Sequence, residues 1–258
     1  MATDEKRAPT PPGTAVTDPF TLDLPRVDDN FEPGQPLWAV YPSGDPAVWT
    51  LGKVRYVEPS GRFRIAVAEK ETHELPTSFV RAAAPAEGLS PGLPVLVNAE
   101  GAARFGRVQS ISRDQVRVKY ALDRESLQLG AFTATDVLTL GRRDLQPGSP
   151  VLFSSGGSFF IGTLGAVTGK QAYVLCGDLL ELGRTEVTAL DTSKLLGPGD
   201  RVVAVPEEAA ACEALDGEVV EMKAGGMLYR VELAGGKMTD VPYAMVAPHP
   251  SVTPPSSP

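Results

Sequence analysis

The sequence predicts an all-β protein built from four tandem five-stranded barrels of about fifty residues each. Three observations carry this expectation. Gly and Pro number 26 and 24 in 258 residues, a supply of turn formers that favours many short strands over long helices. A Pro-Gly pair recurs four times, at Pro33-Gly34, Pro91-Gly92, Pro147-Gly148 and Pro198-Gly199, with spacings of 58, 56 and 51 residues. After each pair, apolar residues alternate with the two-residue period of a strand that buries one face.

The elements follow in the same order in every copy. The third and fifth residues after the first glycine are Leu37 and Ala39, Val95 and Val97, Val151 and Phe153, and Val202 and Ala204; each pair shares a strand face. A second glycine then leads an apolar residue two positions on: Gly52 with Val54, Gly106 with Val108, Gly162 with Leu164, and Gly217 with Val219. A glycine within a strand marks a bulge or a close backbone approach. Third strands are predicted at 63–67, 116–120, 172–175 and 228–231, and their interleaved Arg and Lys point to one wet face. Shorter fourth strands are expected at 73–75, 127–129, 180–182 and 237–239. A tight turn and a last short strand close each copy, most visibly in Leu75-Pro76-Thr77-Ser78-Phe79-Val80 and Val241-Pro242-Tyr243-Ala244-Met245-Val246.

Five short strands in about fifty residues suit a small, strongly bent barrel, a form that also removes exposed edges. The Gly-x-x-Val-x-Ala start, the bulky residue before Gly-x-Val, the third strand and the helical turn followed by Val resemble the Tudor and SH3-like small-barrel modules. The resemblance is one of spacing over residues 33–249, and the first copy fits it best because Trp49 stands three residues before Gly52. The expected organisation is barrels at 33–85, 86–143, 144–195 and 196–249. Disordered tails are expected at 1–32, which is acidic and Pro-rich, and at 250–258. Within the first tail, Phe20, Leu22 and Leu24 alternate and can add a strand to a neighbour. Linkers of five to ten residues predict a fairly stiff array.

Composition narrows the class of function. The net charge of −8 sits at the two ends: residues 1–32 carry three basic and seven acidic groups, and 198–250 carry four and nine. A protein devoted to phosphate binding has the opposite balance. Cys176 and Cys212 lie in different copies without CxxC spacing, so free thiols in a reducing compartment are expected. No apolar run reaches the ~20 residues of a membrane span, and the N-terminus lacks the apolar core of a secretory signal. These points lead to a cytoplasmic protein. Scarce Asn and Ile and the excess of Arg over Lys suggest a GC-rich, bacterial source.

No nucleophile-base pattern, metal-ligand spacing or phosphate loop emerges, so the sequence is read as non-catalytic, with no cofactor and no metal. His73 and His249 lack a partner at ligand spacing. The densest chemical feature is aromatic. Trp38, Tyr41, Trp49, Tyr56, Phe63 and Phe79 all fall in the first copy. The Tudor-like resemblance implies that aromatics at the barrel mouth, Trp49 and Tyr41 above all, can cage a methylated lysine or arginine by cation–π attraction. The competing reading places Tyr56, Phe63 and Phe79 in the core and Trp38 against a neighbouring copy. A second feature is basic: Arg104, Arg107, Arg113, Arg117 and Lys119 in the second copy, a face for phosphates or an ordinary solvated face beside Asp114 and Asp123. The function expected is therefore a protein-interaction scaffold that binds a protein partner through loops and aromatics of the first module. The alternative is a nucleic-acid- or chromatin-associated protein that uses the basic face of the second.

Overall fold

The computed structural model of the protein describes residues 13–18, 31–43, 48–59, 63–68, 71–99, 101–113, 115–123, 126–140, 145–209 and 212–250. They are all-β. A short strand, β1 (Thr14–Ala15), comes first. The first segment holds β2 (Pro36–Ser43), β3 (Val48–Pro59), β4 (Phe63–Ala68), β5 (Glu71–Leu75) and β6 (Val80–Ala82). The second holds β7 (Pro94–Ala99), β8 (Ala102–Ile111), β9 (Val116–Ala121), β10 (Leu127–Phe132) and β11 (Val137–Thr139). The third holds β12 (Pro150–Ser155), β13 (Ser158–Val167), β14 (Gln171–Cys176), β15 (Asp178–Gly183) and β16 (Thr188–Ala189). The fourth holds β17 (Arg201–Ala204), β18 (Glu213–Lys223), β19 (Leu228–Leu233), β20 (Met238–Pro242) and β21 (Val246–Pro248).

One antiparallel order recurs in all four segments. The first four strands form a meander and the fifth returns to pair with the first, as in β5-β4-β3-β2-β6 and β10-β9-β8-β7-β11. A three-residue 3-10 turn precedes each fifth strand, at Thr77–Phe79, Ala134–Asp136, Arg184–Glu186 and Tyr243–Met245. The Pro-Gly pairs are the turns that start each meander. Gly34, Gly92, Gly148 and Gly199 all hold φ between 82° and 92°, the left-handed region that a side chain disfavours. Each donates its N–H to the second strand, to the carbonyls of Tyr56, Val108, Leu164 and Val219 respectively. A β-bulge follows directly after those four residues.

These bonds correct the alignment of the first segment by two residues. Gly106, Gly162 and Gly217 pair with Val95, Val151 and Val202, but Gly52 pairs with Ala39, and Val54 takes the place opposite Leu37. The physical roles differ accordingly. A Cβ on Gly106, Gly162 or Gly217 would stand 2.5, 2.5 and 2.7 Å from Cγ1 of Val118, Val174 and Val231 on the third strand, so these glycines permit a close approach within a sheet. A Cβ on Gly52 would instead meet the Gly101 carbonyl at 2.5 Å, so this glycine admits the backbone of the neighbouring segment.

The expected closure into barrels does not occur. Among the described residues, the pairings of each segment end at the fourth and fifth strands, and none joins the two. The fifth strands span only two or three residues and are used up against the first. Nor do all four segments form separate sheets. β13 pairs with β18 through Phe159↔Ala214 and Phe160↔Glu213, and β1 adds to β15, giving one eleven-stranded sheet beside two of five strands. Thr14 and Ala15 belong to the stretch expected to be a tail. They pair with Glu181 and Leu180, and buried Val16 donates its N–H to the Leu179 carbonyl at 2.8 Å. The alternation at Phe20, Leu22 and Leu24, like residues 1–12 and 251–258, lies outside the described residues.

The segments do not form a linear array but share cores. One cluster gathers Trp38, Val40 and Phe79 of the first, Leu96 and Leu138 of the second, and Tyr173 and Leu179 of the third. Phe79 and Tyr173 rings meet at 5.3 Å, and burial pushes the Tyr173 phenol up to about 12, aided by the Glu181 charge. Lys53 on β3 pairs with Asp136 of the second segment at 2.5 Å. The two cysteines are bonded, with Cα atoms 5.3 Å apart, and tie the third segment to the start of β18. The expectation of free thiols is thereby corrected, and the argument for a reducing compartment loses that ground. Among the described residues no helix is long and apolar enough to cross a membrane.

Candidate protein-interaction surface

The aromatics of the first segment do not stand at an open mouth. Trp49 lies within β3, opposite Pro42, and is 9 % exposed; Trp38 on β2 is 1 % exposed. Tyr41, Tyr56 and Phe79 are buried as well, and Phe63 is half-buried between Phe31 and Tyr56, at ring distances of 5.0 and 4.9 Å. The Trp49 ring meets that of Phe79 at 6.1 Å. Tyr41 donates its hydroxyl to the Gly101 carbonyl at 3.2 Å, at the seam with the second segment; burial and then the charge of Glu71 raise its pKa. These six residues come together as core and seam. Among the described residues, their burial leaves no open aromatic face for a methylated cation.

The basic cluster divides. Arg107 is 5 % exposed and is held by carbonyls from three places: Nη1 donates to Gly92 at 3.0 Å, Nη2 to Thr192 at 3.0 Å and Nε to Gly226 at 3.3 Å. Its guanidinium also lies 4.7 Å from the centre of the Tyr243 ring, and Tyr243 donates to the Gly106 carbonyl at 3.0 Å. Burial drives the Tyr243 phenol well above its ordinary range, while Arg107 and the bond to Gly106 pull the other way. Arg107 thus fastens the second segment to the fourth and to the strand-free stretch before it. This commitment removes it from any phosphate-binding face, because a phosphate would have to displace all four contacts. Arg104 is half-buried.

Arg113 and Arg117 remain exposed, and Lys119 is half-exposed. None of these three takes part in an ion pair among the described residues. The β9–β10 register sets what lies beside them. Leu129 pairs with Lys119 and Ala131 with Arg117, so Leu127, Leu129 and Ala131 share the outer face with the two cations. Gln128 and Phe132 turn to the other face, where Tyr120 donates to Gln128 at 2.8 Å and meets the Phe132 ring at 5.5 Å. Leu129 is 62 % exposed, the most exposed of the large apolar residues described.

β10 is therefore the chemically distinctive edge. Its sequence, Leu-Gln-Leu-Gly-Ala-Phe, has no charge and no proline, the two usual guards of a free edge. Sequence reasoning placed a short strand here but gave it no role. The usable signal was the uncharged run next to a strand carrying Arg117 and Lys119. No protein-family model and no curated protein matches the chain.

Proposed function

We propose that the chain is a non-catalytic protein-interaction scaffold: four SH3/Tudor-like modules fastened into one rigid platform that binds a protein partner through an exposed strand edge. The observation that supports this reading is the contrast between seams fastened at every segment and a β10 edge that, among the described residues, pairs with no further strand. Arg107, Lys53–Asp136, the cysteine pair and the shared core fix the segments relative to one another, which keeps binding elements in register and lowers the entropy cost of capture. Contact through β10 replaces contact through the first-module aromatics, whose burial gives them a packing role. A cytoplasmic, bacterial setting remains an expectation from composition.

Affinity capture on the immobilised full chain from its native source, with and without nuclease, tests the reading. A retained protein that survives nuclease supports it. The outcome that replaces it is retention lost on nuclease treatment and on Arg117→Glu, which would favour nucleic acid on the remaining basic residues of the second module.

A further inference from the structure

Resting on the scaffold reading, we infer that β10 is a docking edge that takes an extended, acidic–apolar segment of a partner protein as an added antiparallel strand. The fold already performs this addition once. The fourth strand of the third module, β15, is topologically equivalent to β10, and its edge carries β1 of the same chain. The other two equivalent edges are guarded. β5 reads Glu-Thr-His-Glu-Leu, with two carboxylates. β20 ends in Pro242 and holds Asp240 in ion pairs with Lys223 and Arg230. Of the four, β10 alone pairs with no further strand and carries neither charge nor proline among the described residues; Leu127 at its start packs against the core of the fourth segment, which leaves Leu129 and Ala131 as its open stretch.

Its backbone is set for the task. Leu122 donates to the Ser126 carbonyl at 3.0 Å, which fixes the phase of the β9–β10 ladder. By antiparallel alternation, residues 128, 130 and 132 then bond to β9, while Leu127, Leu129 and Ala131 direct their N–H and C=O groups outward. Charge selects the occupant. An added strand lies two strand spacings from β9, about 9.6 Å, within the joint reach of a Glu and a Lys or Arg side chain. Arg117 and Lys119, on the outer face and without ion pairs among the described residues, favour carboxylates on that face of the incoming strand. A second copy of this chain would offer the same uncharged edge beside another basic stripe and satisfies neither cation.

The test is fluorescence anisotropy with two labelled eight-residue peptides, one alternating Glu and Val and one alternating Lys and Val, together with amide exchange of the full chain. The expected result is binding of the Glu peptide at least tenfold tighter than the Lys peptide, with slowed exchange at Leu129 and Ala131. Leu129→Pro, which removes an outward donor, and the pair Arg117→Glu with Lys119→Glu should each weaken it at least tenfold. Leu129→Glu, at a highly exposed position, guards against a proline variant that misfolds and should weaken binding equally. Equal affinity for both peptides, no binding of either, unchanged affinity in well-folded variants, or a dimer whose β10 is already protected would each overturn the inference. If the partner captured from the native source is also retained by Leu129→Glu, the scaffold reading stands and only the assignment to β10 falls.

Discussion

Replacing Arg107 with Met should destabilise the whole platform, because it removes a cation that serves three parts of the chain at once. Met keeps most of the bulk, so the loss is mainly polar. Three charge-assisted hydrogen bonds are each worth about 1.5–3 kcal/mol, and a desolvated cation–π contact adds about 2. Keeping a guanidinium buried without a carboxylate costs several kcal/mol, which offsets a large part of that sum. The variant regains this desolvation cost but leaves the carbonyls of Gly92, Thr192 and Gly226 without their donor, at about 1–3 kcal/mol for each that stays dry. The balance is a net loss of about 3–5 kcal/mol. With a urea m-value of about 3 kcal/mol/M, the midpoint should fall by about 1–1.7 M. Arg107→Lys should recover less than half, since one ammonium cannot serve three carbonyls arranged around a planar fork. A midpoint for Arg107→Met within about 0.2 M of the parent, a change of some 0.6 kcal/mol, would refute the reasoning.

Three further outcomes are expected. Intact protein should show no reactive thiol under denaturing, non-reducing conditions, and Cys212→Ser should lower stability by up to about 4 kcal/mol, the loop-closure value for a sequence separation of 36; two titratable thiols in the unreduced protein would contradict the pairing. Burial alone would raise the pKa of Asp136, but hydrogen bonds from Lys53 and Thr133 and the Lys53 charge hold it below the ordinary range. Its contribution to stability is therefore present above the unfolded-state value of about 4 and is lost as pH falls through the lower folded value; Asp136→Asn should flatten the stability profile in that acidic window, and an unchanged profile would count against the ion pair. Trp49→Ala should cost about 3–5 kcal/mol as a core deletion, read by thermal melting, and a variant that melts like the parent would return Trp49 to the surface.

The strands were legible because each has one face inside its own sheet, and that face repeats every two residues. Val95, Val97, Val108 and Val118 occupy the inner positions that alternation assigns them. What alternation cannot report is whether the other face meets water or another module. Trp38 and Val40 sit between Leu37, Ala39 and Tyr41, at positions that alternation would turn outward, yet they are as deeply buried as their neighbours; a Cβ on Gly165 of the third module would come within 2.9 Å of Val40. Arg107 follows the same logic. It stands between Gly106 and Val108, where alternation predicts solvent, and the fourth module covers it. The first-segment aromatics were dense because that segment lies at the shared core, and the same density reads as a binding site when packing between segments is unknown. Gly52 misled the register because its purpose, room for the Gly101 carbonyl, lies in another segment. The edge character of β10 was within reach of the sequence, since it depends on local charge; recognising it required knowing that β15 pairs with β1 while β10 pairs with no further described strand.

That the four segments form one body is the central claim, and small-angle scattering of residues 13–250 tests it directly. A packed chain of that length should give a radius of gyration of about 18 Å and a single-peaked distance distribution. A much larger radius with separate peaks at module spacing would mean a string of independent units, and would contradict the shared core, the Arg107 seam and the platform reading together.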